Sequence, residues 1–294
     1  ELPIKFEALK TALHLPQYLS FLFTQQLFSD ITSIGCHTHL WNFNTKQYHA
    51  WVRQEGILDK LAPIKKSDEV IAVNFPLVPQ PLKVGIGLHD SSAALVPYIH
   101  SFQIPYVLIS TGTWSISLNP FNQSVLTDAE LKQDCLCYIS YTGNPIKASR
   151  LFAGNEHEQE IKKIAQQFNQ PADYYKTVEF NVVIYKNLIE SGSLLNADTY
   201  EEAYHQVIFN IIQKQVTSTN LVLHNADVDQ IFVDGGFSNN PVFMHFLAAA
   251  YPNKKVFAAT LSQASSLGAA MAIHRHWNTQ PIPNQLVQLK QYFY

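Results

Sequence analysis

Short apolar runs alternate with amphipathic stretches along the chain, and each run ends in a turn rich in Gly, Asn, Asp or Pro. The run Val84 to Leu88 predicts a strand, Ser91 to His100 a helix, and Tyr106 to Ile109 a second strand opening into Ser110, Thr111, Gly112 and Thr113. Farther on, Tyr204, Val207, Ile208, Ile211, Ile212 and Val216 recur at helical spacing, which predicts a long amphipathic helix over Tyr200 to Asn220 lying on a sheet. A buried strand over Asp229 to Val233 then runs into Asp234, Gly235 and Gly236 and a helix from Val242 to Tyr251. A strand over Lys255 to Ala258 and a helix from Gln263 to His274 follow. The small residues Ala264, Gly268, Ala269 and Ala270 in that helix permit close backbone approach. Strands alternating with helices in this way define an α/β chain.

The remaining stretches are less regular. Phe6 to Phe28 reads as a packed helical pair, with Pro16 where a helix would begin, and Tyr48 to Leu61 as a helix stopped by Pro63. His37 and His39 form a His-x-His pair on a short strand. No third ligand of suitable type lies nearby, so they read as polar residues on an open strand face, with no metal. Thr127 to Glu130 has the spacing of a capping box, and Cys135 to Thr142 alternates like a strand. Glu156, His157 and Glu158 open a helix from Glu158 to Phe168. They read as a solvated first turn whose acids complement the helix dipole, rather than as a catalytic or metal cluster.

Composition narrows the class. With 294 residues, 47% of them hydrophobic, the chain can furnish a core for each of two ordinary domains. A net charge of −3 without a Lys/Arg cluster leaves no electrostatic footprint for nucleic acid or an anionic membrane. Three cysteines make neither a disulfide framework nor a metal site, which reads as the reducing cytoplasm. No apolar run approaches the roughly 20 residues of a membrane-spanning helix. The sequence begins at Glu1, which leaves open a processed, cut or longer chain.

Two places carry candidate chemistry. Asp90 follows an apolar strand at the start of a helix, where packing holds it in place and the helix dipole favours its ionised form, as a general base requires. Thr111, Gly112 and Thr113 end the next strand in a small-residue turn, where backbone N–H groups and hydroxyls can surround phosphate. Gly235 and Gly236 let a flat ligand lie against bare backbone, Ser238 or Asn239 can cap the next helix, and Asn240 carries both a donor and an acceptor for a nucleobase edge. A double-glycine turn taken alone reads equally as packing. A base and an oxyanion cradle together suit phosphoryl transfer to an alcohol, which depends mostly on positioning and charge neutralisation.

Gly87-Leu88-His89-Asp90 followed by Ser110-Thr111-Gly112-Thr113-Trp114, then Asp234-Gly235-Gly236-Phe237-Ser238-Asn239-Asn240, then Ser266-Leu267-Gly268-Ala269-Ala270, resembles the FGGY family of carbohydrate kinases. The His89-Asp90 pair and the phrase Ser110 to Ser115 look most like its rhamnulokinase and L-fuculokinase branches. The resemblance implies two ribonuclease H-like, actin-like ATPase domains flanking a cleft, with sugar held mainly by the first and ATP by the second. Residues 1–103 would be the remaining part of the sugar-binding domain and 104–294 the ATP-binding domain. It implies Asp90 as the base that takes the proton of the attacking hydroxyl, Thr111, Gly112 and Thr113 along the phosphates, and Gly235, Gly236 and Asn240 along the adenosine. ATP, Mg²⁺, a ketose such as L-rhamnulose, L-fuculose or a xylulose-type sugar, and a homodimer complete the implied picture.

The departures matter too. Gln263 stands where many relatives carry an acid, and no Asp-x-Gly-Thr phosphate segment opens the chain. The link Phe75 to Pro81 and the stretch Glu179 to Asn196 read short for the family. The chain is then either part of a longer protein or a degenerate kinase. A catalytically silent sugar or nucleotide sensor on the same fold stands as the alternative, and an actin- or chaperone-like ATPase as a third.

Overall fold

The computed structural model describes residues 3–76, 78–192, 197–261, 263–283 and 285–293. The chain forms two compact units, one of residues 1–101, 137–146 and 263–286, the other of residues 102–136, 147–262 and 287–294. Against a single cut after residue 103, the chain crosses several times. Residues 137–146, which end one strand, turn and begin the next, and the small-residue helix near the C-terminus both contribute to the first unit.

A seven-stranded sheet holds most of its strands in the second unit. Its strands are β1 (Tyr106–Thr111), β2 (Ser115–Asn119), β3 (Cys135–Ile139), β4 (Pro145–Leu151), β5 (Gln230–Gly235), β6 (Lys255–Thr260) and β7 (Gln288–Tyr292). Their order is β7-β6-β5-β1-β2-β4-β3, with β5 parallel to both neighbours and β2 and β7 antiparallel to theirs. Strands β1 and β5 are near-continuous apolar runs, as strands covered on both faces must be. Their register pairs Ser110 with Asp234 and Thr111 with Gly235, so the turns that end them leave the sheet side by side.

Four helices, α1 (Ala153–Gln167), α2 (Val182–Ser191), α3 (Tyr200–Leu223) and α4 (Pro241–Ala250), accompany this sheet. Helix α3 begins at a capping box in which Thr199 and Glu202 satisfy each other's backbone N–H groups. Its buried stripe of Tyr204, Ile208, Ile211 and Val222 covers the core, each large apolar side chain worth roughly 1.5–3 kcal/mol when fully buried. A polar seam sets its register on the sheet. Gln215 bonds Ser115 at 2.6 Å and Ser117 at 3.1 Å, Ser117 meets Thr219 at 2.9 Å, and Ser149 donates to the Ser218 carbonyl at 2.7 Å. Sliding α3 by one turn would leave these buried groups unpaired, at about 1–3 kcal/mol each.

In the first unit the helix Asp90–Ser101 packs on Ala264–Ala272, where a Cβ on Gly268 would run into the Ala93 carbonyl. The strand before Asp90 covers Leu82–Gly85 and pairs with Val70–Val73, so it stops short of Leu88. Gly87 adopts φ +96°, a left-handed conformation that ends the extended run. Residues 31–37 form a helix capped by Asp30 instead of a strand, and the side chain of His37 lies outside the described residues. The expected pair of helices at the N-terminus is Pro3–Ala8 and Leu15–Thr24. The second of these leaves Tyr18, Leu19, Leu22 and Phe23 exposed, so its outward face is not core.

Candidate active site

A cavity of about 590 Å³ opens in the second unit where β1 and β5 end. Thr111, Gly112 and Thr113 form one side of it, and Gly236 and Asn240 another. Gly235 sits just beneath, at φ +84°, and a Cβ there would run into the Thr111 carbonyl. Gly154, at the start of α1, likewise presses on the Gly112 carbonyl. Gly112 and Gly236 differ, because nothing lies within 4 Å of a Cβ built on either. Two patches of bare backbone therefore face the open cavity from adjacent strands.

The polar groups expected to receive a ligand are partly committed elsewhere. The Gly112 N–H donates to the Trp114 carbonyl at 2.7 Å, so this residue offers space and no donor. The Thr111 hydroxyl donates to the Asp234 carbonyl at 2.5 Å and accepts the Phe237 N–H at 3.0 Å, tying β1 to the β5 turn. Asn240 caps α4, its Oδ1 accepting the Phe243 N–H at 3.1 Å, while its Nδ2 donates to the Tyr204 hydroxyl at 2.6 Å. The helix cap is thus Asn240 and not Ser238 or Asn239, because a short 3₁₀ turn over Gly236–Asn239 precedes α4. Thr113 is exposed on the cavity wall.

Part of the cavity wall is aromatic. His157, Tyr175 and Phe237 line it, with the His157 ring edge-on to Tyr175 at 5.1 Å and to Phe237 at 5.3 Å. Phe237 in turn stacks flat on Phe243 at 4.4 Å. Burial pushes the His157 imidazole down to about 4, so it is neutral at pH 7, and its Nε2 meets the Tyr204 hydroxyl at 3.1 Å. Lys176, Glu158 and Asn155 stand on the same wall and add polar groups.

From the sequence, His157 and Glu158 read as a solvated helix turn, and Tyr175 and Lys176 carried no reading. Helix α1 starts at Ala153, so Glu156, His157 and Glu158 all lie within it. Glu156 pairs with Lys214 at 2.6 Å and Glu158 with Lys162 at 2.6 Å, as solvated helix acids do, but His157 turns inward. Its spacing to the buried Ile161 and Ile164 was the available signal. Tyr175 had none, since a 3₁₀ turn over Tyr174–Thr177 places it.

Asp90 belongs to the first unit and opens the helix Asp90–Ser101, with 80% of its side chain exposed. Its Oδ1 accepts the Ser91 N–H at 2.6 Å and lies 3.3 Å from His89 Nδ1. Trp114, tilted at 44° against Phe152 with the Arg150 guanidinium over it at 5.5 Å, is half-exposed, whereas Tyr98 is fully buried. Among the described residues, no group of three or more His, Cys, Asp or Glu could hold a metal ion, and no helix is long and apolar enough to cross a membrane.

No curated protein sequence matches this chain significantly. Among solved structures, it is similar to a carbohydrate kinase from Novosphingobium aromaticivorans, with 22% identity over 96% of this chain and a TM-score of 0.73. It is also similar to a ligand-bound xylulose kinase from Lactobacillus acidophilus, with 15% identity over 99% of this chain and a TM-score of 0.77. A Plasmodium falciparum glycerol kinase solved with ADP matches 90% of the chain at 16% identity and a TM-score of 0.60. The chain spans 66% of the length of each of the first two and 58% of the third. The shared fold is that of two actin-like ATPase domains, here with only part of the first. The family model for the carbohydrate kinase FGGY C-terminal domain matches residues 103–281, more than half of the sequence, and the chain therefore belongs to the FGGY carbohydrate kinase family.

Proposed function

We propose that the chain is the nucleotide-binding and base-bearing part of an ATP-dependent sugar kinase of the cytoplasm. The observation that carries this reading is the pair of open glycines, Gly112 and Gly236, on adjacent strand ends beside a 590 Å³ cavity that is partly lined by aromatic rings. A nucleotide needs bare backbone for its phosphates and a flat apolar slot for its base, and the cavity has both. Thr111, Gly112 and Thr113 line the phosphates; Gly235, Gly236 and Asn240 lie along the adenosine, and His157, Tyr175 and Phe237 enclose the base. Gly235, Thr111 and Asn240 act mainly by shaping the slot, since their polar groups are bonded internally. ATP supplies the transferred phosphoryl group. Mg²⁺, which keeps several waters and binds phosphate oxygens, would ride on the nucleotide rather than in a cage of side chains.

Asp90 takes the proton from the attacking sugar hydroxyl. An exposed carboxylate fixed at one oxygen by the Ser91 N–H suits that task, because the other oxygen can meet a substrate hydroxyl. The acceptor is a ketose of the L-rhamnulose or L-fuculose type on the motif around His89 and Asp90, with xylulose-type sugars next. A homodimer is proposed from the family resemblance.

The test is ATP consumption by the full-length protein with a panel of ketoses, beside ADP binding. Asp90→Asn should keep ADP binding and lose phosphorylation. Near-normal turnover by that variant would remove Asp90 from the reaction. Ligand-dependent melting without ADP formation with any sugar would favour the silent sensor.

A further inference from the structure

We propose that Thr32, oriented by the buried carboxylate of Asp30, is a positioning residue that sets where Asp90 stands; this rests on the reading of Asp90 as the base. The His89 backbone N–H, one residue before Asp90, donates to Thr32 Oγ1 at 2.9 Å. The Thr32 hydroxyl proton goes to Asp30 Oδ1. A hydroxyl has a single proton, so giving it to the carboxylate leaves a lone pair for His89. Asp30 thus decides that Thr32 accepts and does not donate at this place. The carboxylate is itself held, Oδ1 accepting the Thr32 N–H at 2.9 Å and Oδ2 the Ser67 hydroxyl at 2.5 Å. Asp30 and Thr32 are both fully buried.

The same segment is gripped at two more points. Ser20 donates to the Gly85 carbonyl at 2.8 Å and Gln17 to the Gly87 carbonyl at 2.9 Å, and both side chains are buried. Residues 85, 87 and 89 are therefore fixed in turn by side chains of the helices Leu15–Thr24 and Ile31–His37. The Asp90 side chain, mostly exposed, has little packing of its own to hold it. Its position comes from the backbone around it, where Thr32 holds the His89 N–H while the His89 carbonyl accepts the Ala93 N–H at 2.9 Å and the Asp90 carbonyl accepts the Ser265 hydroxyl at 3.3 Å. Capping the helix Ile31–His37 needs only the bonds from the Thr32 and Ser33 N–H groups to Asp30, so the Thr32 bond to His89 serves the loop.

The test compares Thr32→Val, Thr32→Ser and Asp90→Asn in the full-length protein. Valine keeps the shape and removes both bonds, whereas serine keeps them. Thr32→Val should lower kcat by about tenfold or more with KM for ATP and ADP affinity within about twofold, because misplacement acts on the reacting atoms and not on nucleotide binding. Thr32→Ser should recover most of the loss. Amide hydrogen exchange supplies a readout that needs no turnover, and exchange at His89 should quicken in Thr32→Val and stay slow in Thr32→Ser. Should Thr32→Val fail to fold, Asp30→Asn, which keeps the shape and alters the partner of the Thr32 proton, is read in the same two ways. Unchanged kcat in Thr32→Val beside an inactive Asp90→Asn overturns the positioning role alone. Unchanged exchange at His89 also overturns it, and an active Asp90→Asn overturns both this role and the base it serves.

Discussion

The side-chain amide of Asn240 donates to the hydroxyl of Tyr204 at 2.6 Å, joining the start of α4 to α3 beside the cavity. The same hydroxyl meets His157 Nε2 at 3.1 Å, so one oxygen links three elements around the aromatic wall. With His157 neutral, the geometry closes. Asn240 donates to Tyr204, and Tyr204 donates to the imidazole nitrogen.

Tyr204→Phe removes that oxygen and leaves two polar groups without their partner. The variant should lose about 1–3 kcal/mol of stability, the cost of stranding such groups in a poorly solvated place. ADP affinity should fall as well, since Asn240 and His157 shape the slot. Urea unfolding and ADP titration check the two effects, and a variant matching the original in both would show that the linkage holds nothing in place.

The four glycines around the cavity should fall into two pairs. Gly235→Ala and Gly154→Ala drive a Cβ into the Thr111 and Gly112 carbonyls, and Gly235 also sits at φ +84°, ψ −149°, a region essentially reserved for glycine. The conformation at Gly235 alone costs about 1–3 kcal/mol, and the clash adds to it. Gly112→Ala and Gly236→Ala meet open space and should leave the melting temperature within a few degrees. Their new methyl groups project where a nucleotide would lie, so ADP affinity should drop in these two while stability holds. Full ADP affinity in both would disqualify the bare-backbone cradle.

Much of the fold was legible because its signals are local. The periodicity over Tyr200 to Asn220 marks α3, and the apolar run before Gly235 marks β5. What the sequence could not yield was nonlocal. The register that sets Thr111 against Gly235 joins distant stretches, and no spacing announces it. Local reading also erred where a residue type had two uses. The run Val84 to Leu88 is apolar throughout, but Gly87 turns it out of the strand, and the Gly85 and Gly87 carbonyls bond side chains instead of a neighbouring strand. His157 sits between two acids that are solvated, and their polarity masked a histidine on the buried stripe with Ile161 and Ile164. Asn240 was read for its amide at a nucleobase. The structure commits that amide to Phe243 and Tyr204, and only the turn geometry before α4 reveals it.

His157 gives acid sensitivity a definite sign. Its imidazole titrates near 6.5 in an unfolded chain and near 4 in the folded one, because burial disfavours the charged ring. Between those values the unfolded chain binds the extra proton and the folded chain does not, so stability rises with pH across this window. The contribution is fully present above about 6.5 and is lost progressively as pH falls toward 4. At 1.36 kcal/mol per unit the difference amounts to about 3 kcal/mol. His157→Gln keeps a polar partner for Tyr204 and cannot titrate here. Urea unfolding at pH 7 and at pH 4.5 should show the original chain losing more stability than the variant, by about 2–3 kcal/mol. Parallel losses in both proteins would mean that His157 is solvated when folded, and that the aromatic wall of the cavity is open to water.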